Sequence, residues 1–145
     1  SYTFLVISSK LEKANIEGAK KLQNAYEFAE RNNYNFYAMT SSLDDAIEDY
    51  KAQTGAQYDF FSSDEITLKT IVRSNPGLVL IKEGNVINKW HYNDLPDFSQ
   101  VDNLETSSLG EMPTVNNWKT VFLSLILLII VPITIFYGIS MKFKL

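Results

Sequence analysis

Cysteine is missing altogether from this chain of 145 residues. Thiol–disulfide exchange is therefore excluded, because the thiolate is the nucleophile in that reaction and no other side chain replaces it. Histidine is nearly missing too: His91 is the only one. A histidine-based triad then has a single candidate base and no motif for its nucleophile, and a histidine at a strand end reads more simply as a surface residue. No Cys/His cluster with zinc-ligand spacing exists. Asp44-Asp45 and Glu48-Asp49 lack the glycine and the alternating acids of a calcium loop, so they read as the solvated face of a helix and no metal site is expected.

Positive charge is scarce where it would be needed for nucleic acid. All seventeen acidic residues lie before Trp118, with only ten of the thirteen basic ones, so that part carries a net charge of −7 and the remainder +3. A nucleic-acid partner requires a basic footprint and is not expected.

Charge is wholly absent from Thr120 to Ser140, "TVFLSLILLIIVPITIFYGIS", 21 positions long. At about 1.5 Å per helical residue the run reaches roughly 30 Å, the thickness of a bilayer's hydrocarbon core. A buried core helix would show a polar face, and here only Ser124, Thr134 and Gly138 interrupt the apolar surface. Trp118 and Lys119 at one end, and Tyr137, Lys142 and Lys144 at the other, are the amphipathic aromatics and snorkelling lysines of a membrane interface. Pro132 implies a kink, which a span tolerates. The run is read as a transmembrane helix, residues 118–141, contacting the lipid bilayer through Thr120 to Ser140. Lys142 and Lys144 favour a cytoplasmic tail, residues 142–145, with the soluble domain on the outer, periplasmic face of a bacterial inner membrane. Ser1 is not methionine, and "YTFLVIS" starts a strand at once, so a further segment upstream is expected.

The rest of the chain alternates between two periods. Tyr2 to Ile7 is a short apolar run that suits a strand buried on both faces. Ala19, Leu22, Tyr26 and Ala29 then recur at helical spacing, which predicts a long helix from Leu11 to Arg31. Tyr34 to Met39 is the second strand. Ser42 is placed to cap a helix carrying Leu43, Ala46, Ile47 and Tyr50, with Asp44 and Asp45 in its first turn and Gly55 closing it. Tyr58 to Phe61 is a brief extended segment, and Ser62 or Ser63 is placed to cap a helix from Asp64 to Val72. "GLVLIK" and "NVINKWH" form a hairpin around Glu83-Gly84. The order β-α-β-α-β-α-β-β implies an α/β fold with one terminal antiparallel hairpin. After "HYNDLPDF", read as a turn into a last short helix, residues 99–117 are polar and aperiodic and read as a linker. The soluble domain is thus 1–98.

The series of elements, and "TLKTIVRSNPGLVLIKEGNVINKW" in detail, resembles the thioredoxin-like fold. In that family a helix leads through a loop ending in a cis-proline to an antiparallel hairpin, and Pro76 falls on the proline. More narrowly, "NPGLVLIKEGNVINKWHYNDLP" resembles the C-terminal soluble part of DoxX-type membrane proteins of Bacteroidetes-like bacteria. That resemblance implies an upstream membrane domain of the same polypeptide, with this part as its accessory. The family's Cys-x-x-Cys sits at the N-terminus of the first long helix, where dipole and free N–H groups lower a thiol's pKa. Here the corner reads "SSKLEKA". Ser8, Ser9 and Lys10 suggest a serine–lysine nucleophile, but neighbouring residues seldom face each other and serines before a helix are usually caps, so no catalytic residue is assigned. No cofactor is implied. What remains is a partner-binding face made of Ser8, Ser9 and Lys10 with Arg73, Ser74, Asn75 and Pro76, where the family docks extended peptide; Pro76 serves equally well as a purely structural residue. Trp90 and Tyr92 either extend that face or pack on the last helix. The function expected is that of a non-catalytic binding or assembly module tethered to the membrane.

Overall fold

A computed structural model describes residues 1–110; the expected membrane helix, its tail and the last part of its linker, residues 111–117, lie outside the described residues. The elements follow the order β1 (Tyr2–Ser8), α1 (Ile16–Arg31), β2 (Asn35–Thr40), α2 (Asp44–Thr54), β3 (Asp59–Ser62), α3 (Glu65–Ile71), β4 (Gly77–Lys82) and β5 (Asn85–His91). One five-stranded mixed sheet results, in the order β3-β2-β1-β4-β5. β1, β2 and β3 run parallel, while β4 is antiparallel to both β1 and β5. Among the described residues no helix is long and apolar enough to cross a membrane.

Strand alternation sorts the core into two layers. Phe4 and Val6 of β1 face α1, where Leu22, Ala25, Phe28 and Ala29 are buried, whereas Ile7 packs with Leu68 of α3 and Val79 of β4. Aromatic rings fill the first layer: Phe4 lies edge-on to Phe28 at 6.1 Å and to Phe98 at 5.6 Å. Trp90 meets Phe98 at 6.0 Å, and Tyr92 lies so close to α1 that a Cβ on Gly18 would fall 2.4 Å from its ring. Both aromatics are half-buried, each with one side of its ring against the domain.

Several boundaries differ from the sequence reading, some through local caps and some through side chains bonded far along the chain. The first helix begins at Ile16, capped by Asn15, whose carboxamide oxygen accepts from the Gly18 N–H at 2.7 Å. Leu11–Lys13 is instead a separate 3-10 turn. Ser42 does not cap α2: its hydroxyl accepts the Leu11 N–H at 2.9 Å and donates to Glu12 at 2.6 Å. The cap of α3 is Asp64, bonded to the Thr67 N–H at 2.7 Å, and neither Ser62 nor Ser63 takes that role. The segment expected to begin a tether at residue 99 still packs on the core as far as Gly110. Leu104 is fully buried, its N–H donates to the Tyr34 hydroxyl at 3.3 Å, and the Tyr2 hydroxyl donates to the Gly110 carbonyl at 3.2 Å.

The hairpin turn needs positive φ at two positions, Glu83 at 51° and Gly84 at 81°, the signature of a type I′ turn. Glutamate has no side-chain compensation for the left-handed region, whereas asparagine tolerates it. Glu83→Asn is expected to stabilise the domain by about 0.5–1 kcal/mol, read as a raised midpoint in urea unfolding at unchanged slope.

Two phenols in the core give stability a pH limit. Tyr50 and Tyr58 are buried with their hydroxyl oxygens 3.5 Å apart. Burial pushes both phenols above the usual tyrosine value, Tyr58 far above it. An acid whose folded pKa is raised contributes stability that is complete below the unfolded pKa, near 10, and is lost as pH climbs past it. Alkaline unfolding is therefore expected above about pH 10, and absorbance titration should show these phenols ionising only together with loss of the near-ultraviolet circular dichroism. If all eight tyrosines titrate before unfolding, the two are not protected as described.

Candidate functional site

The parallel strands β1 and β2 end side by side, each in a serine pair. Ser8-Ser9 closes one and Ser41-Ser42 follows the other. The Ser9 carbonyl accepts the Ser41 hydroxyl at 2.6 Å, and Ser42 reaches across to Leu11 and Glu12. The hydrogen bond from Ser42, first among the causes, holds the Glu12 carboxyl below the usual carboxylate range. These polar side chains take up backbone groups that the strand ends and the 3-10 turn would otherwise leave open.

The loop after α3 comes to the same corner. Its Asn75–Pro76 peptide bond is cis. Asn75 makes three bonds there: its side-chain oxygen accepts the Ser8 hydroxyl at 2.7 Å, its side-chain amide donates to the Lys10 carbonyl at 2.7 Å, and its own carbonyl accepts the Asn15 N–H at 2.9 Å. One residue thus ties β1, the turn after it and the start of α1 to the proline loop.

Of the seven residues expected to share a face, Ser8, Lys10 and Asn75 are joined by hydrogen bonds, and Ser9, Arg73, Ser74 and Pro76 adjoin them along the chain, but they are not equally available. Ser8, Ser74 and Pro76 are buried, and Ser9, Lys10 and Asn75 are half-buried. Lys10 lies 3.8 Å from Glu65. Arg73 is exposed and forms no ion pair among the described residues. Ser74 is 8% exposed and its hydroxyl finds no partner, wedged where a Cβ on Gly77 would come within 2.7 Å. The contact surface of this corner therefore consists of Arg73, Lys10 and the outer sides of Ser9 and Asn75.

Asn15 was missed from the sequence. It occupies the helix N-terminus that the family uses for its reactive pair, and its carboxamide satisfies the Gly18 N–H that would otherwise favour an anion. The local signal was present, since asparagine is among the best N-caps, but a helix drawn from Leu11 hid it. His91 remains an exposed strand-end residue whose Nδ1 accepts the Asn93 N–H at 3.1 Å. Among the described residues, no three His, Cys, Asp or Glu side chains are grouped to hold a metal ion.

No protein-family model matches the chain. Curated protein sequences likewise give no match. Among solved structures, the chain is similar to a solution structure from Bacteroides thetaiotaomicron, assigned provisionally as a protein disulfide isomerase. The match has a TM-score of 0.53 at 12% identity, over 68% of this chain and 67% of that one. At such identity the likeness shows the fold alone, and that fold is thioredoxin-like.

Proposed function

We propose that this chain is a thiol-free thioredoxin-like domain that serves as a binding or assembly module, held at the outer face of a bacterial inner membrane by the apolar run Thr120 to Ser140. The observation that carries the reading is the set of bonds at Asn75. Where the fold positions exchange chemistry, this chain has no sulfur, and the proline loop is fastened to the helix corner through a carboxamide and a backbone carbonyl. A corner so fastened offers a fixed shape, and its accessible residues, Arg73 and Lys10, are basic on an otherwise acidic domain. Such a pair suits a partner that presents carboxylates.

The test places a photo-crosslinking residue at Arg73, at Lys10 and, as control, at Glu27 on the exposed side of α1, in the full chain expressed in bacterial membranes. A discrete crosslinked partner from the first two positions and not the third is the expected result, and the crosslink from the Lys10 position should be lost in an Arg73→Asp background. Identical patterns from all three positions would remove the corner from consideration. Tethering is checked separately: the full chain should stay with membranes through alkaline carbonate washing. The narrower reading, an accessory part of a DoxX-type oxidoreductase, predicts several apolar spans encoded upstream of Ser1.

A further inference from the structure

We propose that the outer edge of β3, together with the facing side of α2, is a docking groove for an extended peptide segment in which basic and apolar residues alternate. The surface is distinct from the Asn75 corner and does not depend on the function proposed for it.

Among the described residues β3 pairs only with β2, so its other edge is open. The Ser63 N–H donates to the Thr40 carbonyl at 2.8 Å, which fixes the register of the ladder. Backbone groups alternate in direction along a strand, so Phe61, like Ser63, is turned toward β2. Phe60 and Ser62 then direct their N–H and C=O groups outward, and an open edge of this kind is a template for one more strand. At about 3.3 Å per residue the four positions of β3 would match a segment of about four to six residues.

Two adjoining hollows, of about 460 and 500 Å³, run along this edge and share Asp44, Ile47 and Phe60. Ile47 and Phe60 supply apolar floor. Phe61, 51% exposed, and Leu43, 81% exposed, leave large apolar side chains uncovered beside it. Asp44, Glu48 and Asp59 supply negative charge on the lining, and Asp45 extends it. The one basic lining residue, Lys51, is already engaged, 3.4 Å from Glu48 and 5.7 Å above the Phe60 ring.

Charge decides between occupants. A second copy added edge to edge would bring these carboxylates against their own images, and an anionic lipid surface would be repelled for the same reason. A strand with lysine or arginine at alternate positions turns its cations to the α2 side, against Asp44 and Glu48, and its apolar side chains to the other face of the sheet, beside Phe61 where that ring meets Tyr37, while its backbone bonds to Phe60 and Ser62.

Fluorescence anisotropy of a labelled Lys-Val-Lys-Val-Lys-Val amide, titrated with the full chain in a nonionic detergent against empty micelles, tests the groove. Saturable binding is expected, weakening with salt. Ser62→Pro, which removes one outward N–H, should weaken it about tenfold. Asp44→Lys combined with Glu48→Lys should weaken it more, and the charge reversal Glu27→Lys on the exposed side of α1 should leave it unchanged. Should Ser62→Pro fail to fold, the same peptide N-methylated at alternate amides must lose binding to the unaltered chain. Equal affinity for the N-methylated peptide, or for a Glu-Val counterpart, would overturn the proposal. Self-association of the chain that Ser62→Pro abolishes would overturn it as well, since a second copy would then be the occupant.

Discussion

Leu104→Ala is expected to lower stability by about 2–5 kcal/mol, the cost of emptying a well-packed leucine site. Nothing near Leu104 in sequence announces this. Its neighbours Asp102, Asn103, Glu105 and Thr106 are polar, and by pattern it belongs to a tether. Yet the side chain is wholly removed from solvent within the cluster that contains Phe4, Phe28 and Phe98. The flanking bonds, from the Leu104 N–H to Tyr34 and from the Tyr2 hydroxyl to the Gly110 carbonyl, hold the segment against β1 and the loop before β2. Urea unfolding followed by tryptophan fluorescence measures the loss directly, since Trp90 sits on Phe98. Thr106→Ala is the control: it loses only the exposed hydroxyl bond to Asn103, keeps the backbone one, and should change stability by less than about 0.5 kcal/mol. A midpoint for Leu104→Ala as close to that of the unaltered chain as the control's would mean that the segment does not belong to the core.

Leu104 also marks the limit of what periodicity conveys. The strands around Phe4 and Leu80 and the stripe of Leu22 and Ala29 were legible because each repeats a pattern that burial on one face requires. The proline loop and hairpin were legible because turn chemistry is local: Gly84 admits the positive φ of the turn and Pro76 fixes its own φ whatever lies across the fold. A single buried leucine in a polar segment repeats nothing. Ser42 makes the same point for a polar side chain. Read locally it is a helix cap, but its hydroxyl is claimed by Leu11 and Glu12, thirty or more positions earlier, and α2, with Leu43 at its N-cap position, starts without any side-chain cap. The corner was partly legible. Its residues were named from a resemblance, and Ser8, Lys10 and Asn75 among them are bonded, but the carboxamide that joins these could not be distinguished in sequence from any asparagine before a proline.

For that carboxamide, Asn75→Ala is expected to cost about 1–3 kcal/mol. The Ser8 hydroxyl, on a residue 1% exposed, would lose its acceptor, and that desolvation without a protein partner is the larger part of the loss. The Lys10 carbonyl would lose less, because it still accepts the Lys13 N–H at 3.2 Å. Asn75→Asp has almost the same volume and keeps an acceptor for Ser8, but it sets a carboxylate against the Lys10 carbonyl in place of a donor. It should therefore be at least as damaging at neutral pH and should recover as the carboxyl is protonated, while the alanine variant shows no such recovery. Combining Asn75→Ala with Ser8→Ala removes both ends of the Ser8 bond. The double variant should be more stable than the sum of the single losses predicts, by about 1 kcal/mol of coupling in a double-mutant cycle. Strict additivity would mean that Ser8 and Asn75 do not act as a pair, and the fixed corner on which the binding role rests would lose its main fastening.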